Sequence, residues 1–199
     1  MVATRAMDRQ RWNGLARVVV APGMRRLPTL LVLALVLSAC STAAAEVAVG
    51  GAIQGEFTND ASGGLVAPDF TFTLHDGTEF RLSDQEEPVL VVFWADWCPN
   101  CARELPAIDE AVEDHAVTVL AIGGRGDIDR AAEKAGEWLT EGNVVWGYDD
   151  DHDLWELFGV TGTPTNVFLL PDGSVMGFQP GRLPEASLDD ILGEFASFG

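Results

Sequence analysis

From residue 68 onward the apolar positions change period several times, and each change is marked by a turn signal. Phe70-Thr71-Phe72-Thr73-Leu74 alternates apolar and polar, Asp76-Gly77 interrupts it, and Phe80 and Leu82 take the alternation up again. A period of two on both sides of Asp-Gly predicts a β-hairpin. Val89 to Trp94 is apolar throughout, as in a strand covered on both faces, and is expected at the centre of a sheet. Leu105, Ile108 and Val112 then fall at helical spacing. They predict a helix that starts around Cys98–Pro99, where Pro suits the first position, and kinks at Pro106. A strand over 117–122, a helix over 128–139, a short strand over 144–146 and a brief helix over 154–158 follow. Strands over 167–170 and 175–178 flank Pro171-Asp172-Gly173, and Ser187 with Asp190 fits a capping box at the head of a last helix. In that helix Leu188, Ile191, Leu192 and Phe195 form one apolar stripe. Strands alternating with helices predict one mixed α/β domain over 68–199.

The N-terminal segment has a different pattern. Arg25 and Arg26 precede an apolar run from Leu30 to Leu37, and Ser38 and Ala39 lead to Cys40. Charged region, apolar region and small residues in that order predict a cleaved export signal over 1–39. The run is much shorter than the ~20 apolar residues of a membrane-spanning helix. Leu37-Ser38-Ala39-Cys40 resembles a bacterial lipoprotein signal, which implies a lipid on Cys40 and an extracytoplasmic, membrane-anchored protein. From Cys40 to Ala67 the chain turns to Ala, Gly, Ser and Thr with no lasting period. This predicts a flexible spacer, spanning roughly 25–30 Å as a random coil.

Charge narrows the set of partners. Residues 1–39 hold six Arg and one acid, so the remainder carries 6 basic and 30 acidic residues, a net −24. Such a body is repelled by nucleic-acid phosphates, and protein partners are expected instead.

Cysteine carries the candidate chemistry. Cys98-Pro99-Asn100-Cys101 sets two thiols three positions apart where a buried strand passes into a helix. A thiol at a helix N-terminus meets unpaired N–H groups and the positive end of the dipole, which favour the thiolate. In such motifs the thiol pKa falls from about 8.5 to roughly 3.5–7. Cys98 is therefore expected to be exposed and to attack, and Cys101, less exposed, to resolve the mixed disulfide. Zinc would need further ligands, and His75, His115 and His152 show no ligand spacing. No cofactor beyond the Cys98–Cys101 disulfide is expected.

These residues, with Ala67-Pro68-Asp69-Phe70, Phe93-Trp94-Ala95, Glu104-Leu105-Pro106 and Gly162-Thr163-Pro164-Thr165, resemble the thioredoxin superfamily, in particular its exported TlpA/ResA/DsbE-like branch. The resemblance covers nearly all of 67–198. It implies a thioredoxin-like fold, a central mixed sheet flanked by helices with an N-terminal β-hairpin. It implies thiol–disulfide exchange with exported proteins and a thiol–disulfide electron partner in the membrane. It further implies that Pro164 is a cis-proline facing the dithiol, that the backbone of Thr163 pairs with substrate, that Trp97 shields the disulfide edge, and that Glu104 assists proton transfer. Val92 departs from the pattern, standing where thioredoxins carry a buried Asp. Cys-Pro-x-Cys resembles oxidising members, while Glu104 and the lipid tether resemble reductants of cytochrome c maturation, so the direction of electron flow stays open.

Two other readings remain. A peroxiredoxin shares the Ala-Pro-Asp-Phe opening, but Ala95 and Val91 stand where its Thr and Pro would precede the reactive Cys. A copper-binding lipoprotein would use the two cysteines as ligands, without a clearly placed His.

Overall fold

The computed structural model describes residues 53, 54 and 56–199. The expected signal, Cys40 and the first part of the spacer lie outside them. Among the described residues no helix is long and apolar enough to cross a membrane.

The described residues form ten strands and four α-helices. β1 (Ile53–Gln54), β2 (Thr58–Asn59), β3 (Leu65–Val66), β4 (Asp69–Thr73) and β5 (Glu79–Arg81) precede the main sheet. That sheet contains β6 (Val89–Trp94), β7 (Thr118–Gly123), β8 (Val144–Tyr148), β9 (Thr165–Leu169) and β10 (Val175–Pro180) in the order β10-β9-β6-β7-β8. β6 runs parallel to β7, and β7 to β8, whereas β9 is antiparallel to both β6 and β10. Helices α1 (Cys101–Ala111), α2 (Ile128–Trp138), α3 (Asp153–Leu157) and α4 (Leu188–Ala196) complete the domain. This is a thioredoxin-like α/β fold with an N-terminal antiparallel hairpin, β4–β5, to which β1 adds a third strand.

β6 is central, as its unbroken apolar run predicts, and all six residues are buried. Successive strand side chains point to opposite faces. Leu90, Val92 and Trp94 therefore enter the core beneath α1 and α4, with Leu105, Ile108, Leu192 and Phe195. Val89, Val91 and Phe93 enter a second core with Phe70, Phe72, Trp155 and Phe158. The hairpin closes this second core and reaches the outer edge of the sheet, where the His75 N–H donates to the Trp146 carbonyl at 2.8 Å.

Three expectations differ in detail. Regular helix begins at Cys101 rather than at Cys98–Pro99: the Arg103 N–H turns to the Asn100 carbonyl at 3.2 Å, so the first turn is irregular at Pro99. Pro106 lies inside α1, which continues to Ala111. Ser187 is the N-cap of α4 but its hydroxyl makes no cap bond, because a 3-10 turn over Glu185–Ser187 already leads the chain into the helix. The end of the expected spacer is structured. Thr58–Asn59 pairs with Leu65–Val66, and Asp60 accepts the N–H groups of Ser62 and Gly64 at 2.8 and 2.7 Å, making a turn out of residues that carry no apolar period.

Candidate active site

Cys98 follows β6 by four residues and α1 starts three residues later, so the pair sits where the central strand hands over to a helix. Cys98 and Cys101 form a disulfide with Cα atoms 5.3 Å apart. The Cys101 N–H, one of the first-turn donors left free by helix geometry, donates to Cys98 Sγ at 3.1 Å. The Cys98 carbonyl accepts from the Ala102 N–H at 3.2 Å. Cys98 therefore stands at the mouth of the helix although it is not part of it. Both cysteines are buried: Cys98 is 2% exposed, which corrects the expectation that it lies open to solvent. Both cysteines belong to the core cluster beneath α1.

β9 brings the proline loop to the same end. In the antiparallel register Phe93 faces Thr165, so the residues before Thr165 run alongside Trp94 and Ala95. The Thr163–Pro164 peptide is cis. Pro164 has no N–H to offer, and its carbonyl accepts the Gly181 N–H at 2.8 Å.

On the other side lies the loop between β7 and α2. The Trp97 indole N–H donates to the Arg125 carbonyl at 2.8 Å, and the ring remains 58% exposed. Asp96, its side chain buried, accepts the Asp127 N–H at 3.3 Å and pairs with Arg130 Nε at 3.0 Å. Gly126 passes so close that a Cβ there would overlap the Asp96 carboxylate. The residues just before Cys98 are thus fastened to the start of α2.

Glu104 lies one turn beyond Cys101 on α1, and only 3% of it is exposed. Its Oε1 accepts the Leu183 N–H at 2.6 Å and the Asn166 amide at 3.1 Å, while Oε2 has no hydrogen-bond partner among the described residues. Burial pushes its pKa up to about 7, against the opposing effects of these two donors and of the Arg182 charge. At neutral pH the carboxyl can therefore either hold or release a proton. Val92 packs behind the dithiol and faces Asn166 in the sheet.

The fold thus gathers Trp97, Cys98, Cys101, Glu104, Thr163 and Pro164 at one end of the sheet. Asn166, Leu183, Asp96, Arg130 and Arg125 also belong there and were not singled out from the sequence. One signal was available, since Asn166 is the lone amide in the buried strand Thr165–Leu169. Among the described residues no three His, Cys, Asp or Glu side chains converge as metal ligands.

The family model described as AhpC/TSA family matches residues 64–177, more than half of the chain. The thiol–disulfide oxidoreductase ResA of Geobacillus thermodenitrificans is 28% identical over 136 residues, covering 65% of this chain and 75% of that protein. A secreted disulfide oxidoreductase of Mycobacterium tuberculosis, described as homologous to E. coli DsbE, superposes with a TM-score of 0.55 at 27% identity, covering 63% of this chain and 95% of that one. The exposed lipoprotein thioredoxin Etrx1 of Streptococcus pneumoniae gives a TM-score of 0.53 at 28% identity, covering 63% and 98%.

Proposed function

The chain belongs to the AhpC/TSA family and, within the thioredoxin superfamily, to the ResA/DsbE/TlpA-like thiol–disulfide oxidoreductases, and from that premise we propose that it exchanges disulfides with exported proteins at the outer face of the cell membrane. The observation that carries this reading is the Cys98–Cys101 disulfide at the mouth of α1, with the Cys101 N–H directed at Cys98 Sγ. Cys98 is the sulfur that substrate attacks, and Cys101 the one that leaves or resolves.

In the oxidising direction a substrate thiolate attacks Cys98 Sγ, and the bond to Cys101 breaks. Cys101 departs as a thiolate and takes a proton from Glu104, whose raised pKa leaves much of it protonated at neutral pH. A second substrate thiolate then attacks the substrate sulfur of the mixed disulfide and releases Cys98. Cys98 leaves as a thiolate, stabilised by the Cys101 N–H and the helix end. Two electrons pass from the substrate dithiol to the enzyme. Of the two substrate protons, one restores Glu104 and one goes to solvent. Reduction of a substrate disulfide is the reverse sequence. The backbone at Thr163, beside Pro164, offers the edge on which an extended substrate segment pairs.

The tether is part of the same proposal. Cys40 carries the lipid, and residues between it and β1 hold the domain clear of the membrane. The likeness to an exposed lipoprotein thioredoxin supports this. A Cys40→Ala variant should leave the membrane fraction.

Trapping in cells tests the reaction. Cys101→Ser should accumulate mixed disulfides with exported proteins through Cys98, and Cys98→Ser none. If Cys101→Ser yields no adduct, the protein-directed reading fails. The reduction potential of the pair sets the direction, with a value near about −120 mV marking a strong oxidant and one near about −270 mV a reductant. Saturable, Cys98-dependent turnover of peroxide would instead favour a peroxidase.

A further inference from the structure

Glu104 and Asn166 stand 62 residues apart in the chain and meet as a buried polar pair where α1 crosses β9. The Asn166 amide nitrogen has two hydrogens and two acceptors, Glu104 Oε1 at 3.1 Å and the Gly181 carbonyl at 3.2 Å. Only the nitrogen can serve both, so the partners fix the amide's orientation. Gly181 is itself held to the proline loop, its N–H donating to the Pro164 carbonyl. The Leu183 N–H donates to the same Glu104 oxygen as Asn166 does. Two donors thus converge on Oε1, and Oε2 receives none among the described residues. A carboxyl so placed accepts with one oxygen and carries its proton on the other.

We propose that Asn166 is a positioning residue for proton transfer at the dithiol: it commits Glu104 Oε1 to hydrogen-bond acceptance, leaves Oε2 as the proton-carrying atom, and ties that choice through Gly181 to the Thr163–Pro164 loop. The inference rests on the reading of Glu104 as the acid that serves Cys101. A donor aimed at Oε1 favours the ionised carboxylate, so Asn166 holds the acid weaker in its grip on the proton than burial alone would make it. The groups facing Glu104 are few. β6 and β9 present Val92 and Asn166, neither charged. The turn after β10 presents Arg182, which favours ionisation and also lies 3.4 Å from Glu185. On α1 itself Cys101 lies one turn away and is bonded to Cys98.

The test follows the Glu104 carboxyl carbon by 13C NMR in the oxidised full chain, with Glu104→Gln for assignment, beside the pH profile of disulfide exchange. The wild-type midpoint is expected near 7. Asn166→Leu, which removes the donor and keeps the branched shape, should raise it by about one pH unit. Asn166→Thr, which keeps a donor hydroxyl, should shift it less and remains readable should the Leu variant not fold. The exchange profile should move by the same amount. An unmoved or lowered midpoint overturns the inference, as does a midpoint that moves without the exchange profile following. If Glu104→Gln leaves the exchange profile unchanged, the role of Glu104 itself fails. If Glu104→Gln removes the inflection but the Asn166 variants leave midpoint and profile in place, only the role of Asn166 fails.

Discussion

The indole N–H of Trp97 donates to the carbonyl of Arg125 at 2.8 Å, which holds a largely exposed ring in one orientation beside the dithiol. A pre-oriented aromatic surface costs little entropy when a partner covers it. Trp97→Ala should therefore raise KM for a protein substrate about tenfold, equivalent to ~1.4 kcal/mol of binding. Reduction of the Cys98–Cys101 disulfide by dithiothreitol should not slow. Equal loss in both assays would mean that Trp97 supports the fold and not the encounter.

Asp96 and Gly126 make a complementary pair of a different kind, a buried carboxylate and a backbone that leaves it room. A methyl group on Gly126 would drive the carboxylate from Arg130 and from the Asp127 N–H. Gly126→Ala should destabilise the domain by about 1–3 kcal/mol in urea unfolding. In an Asp96→Ala background the same change should cost far less, because the obstructing group is gone. Additive effects of the two substitutions would contradict this account.

Asp109, buried on α1, gathers the loop that leads into β8. Its carboxylate accepts the N–H groups of Glu141, Asn143 and Val144 at 2.8, 2.9 and 3.0 Å, and its own carbonyl accepts the Asn143 amide. Asp109→Ala leaves several donors without their acceptor and should cost about 3 kcal/mol. The urea midpoint measures it, and a loss under about 1 kcal/mol would show that water replaces the carboxylate.

Asp109 also shows where sequence reasoning stops. Periodicity located β6, β9 and α2 to within a few residues because the sheet and helices bury apolar side chains at fixed intervals. The dithiol was legible from a local motif and a strand-to-helix change. Among the acids only Glu104 stood in a motif, Glu104-Leu105-Pro106, and the others offered no such handle. In a body of net −24 acidic residues suggest a solvated surface, yet Asp96, Glu104, Asp109 and Asp149 are buried and bonded. Their partners are non-local: Glu104 meets Asn166 and Leu183 at separations of 62 and 79 residues. A place at a helix mouth predicts an exposed Cys98. Only the closed disulfide, packed beneath α1, shows otherwise.

Glu104 links stability to pH with a definite sign. Its folded pKa is raised to about 7 from an ordinary 4.5, with burial the principal cause. Between those two values the unfolded chain releases the proton while the folded protein keeps it, so the folded state binds more protons and loses stability as pH rises. The favourable contribution is whole below 4.5, declines through the interval and is gone above about 7. A shift of this size corresponds to about 3 kcal/mol. Glu104→Gln cannot ionise, and its amide oxygen can still accept from Leu183 and Asn166. The variant should therefore match the wild type in stability at pH 4 and exceed it by up to about 3 kcal/mol at pH 8. Urea unfolding of the oxidised proteins at both pH values checks this, with the thiols kept from titrating. A difference between variant and wild type that is the same at pH 4 and pH 8 would mean that Glu104 ionises in the folded protein as freely as in the unfolded chain, and would remove the acid from the proposed exchange.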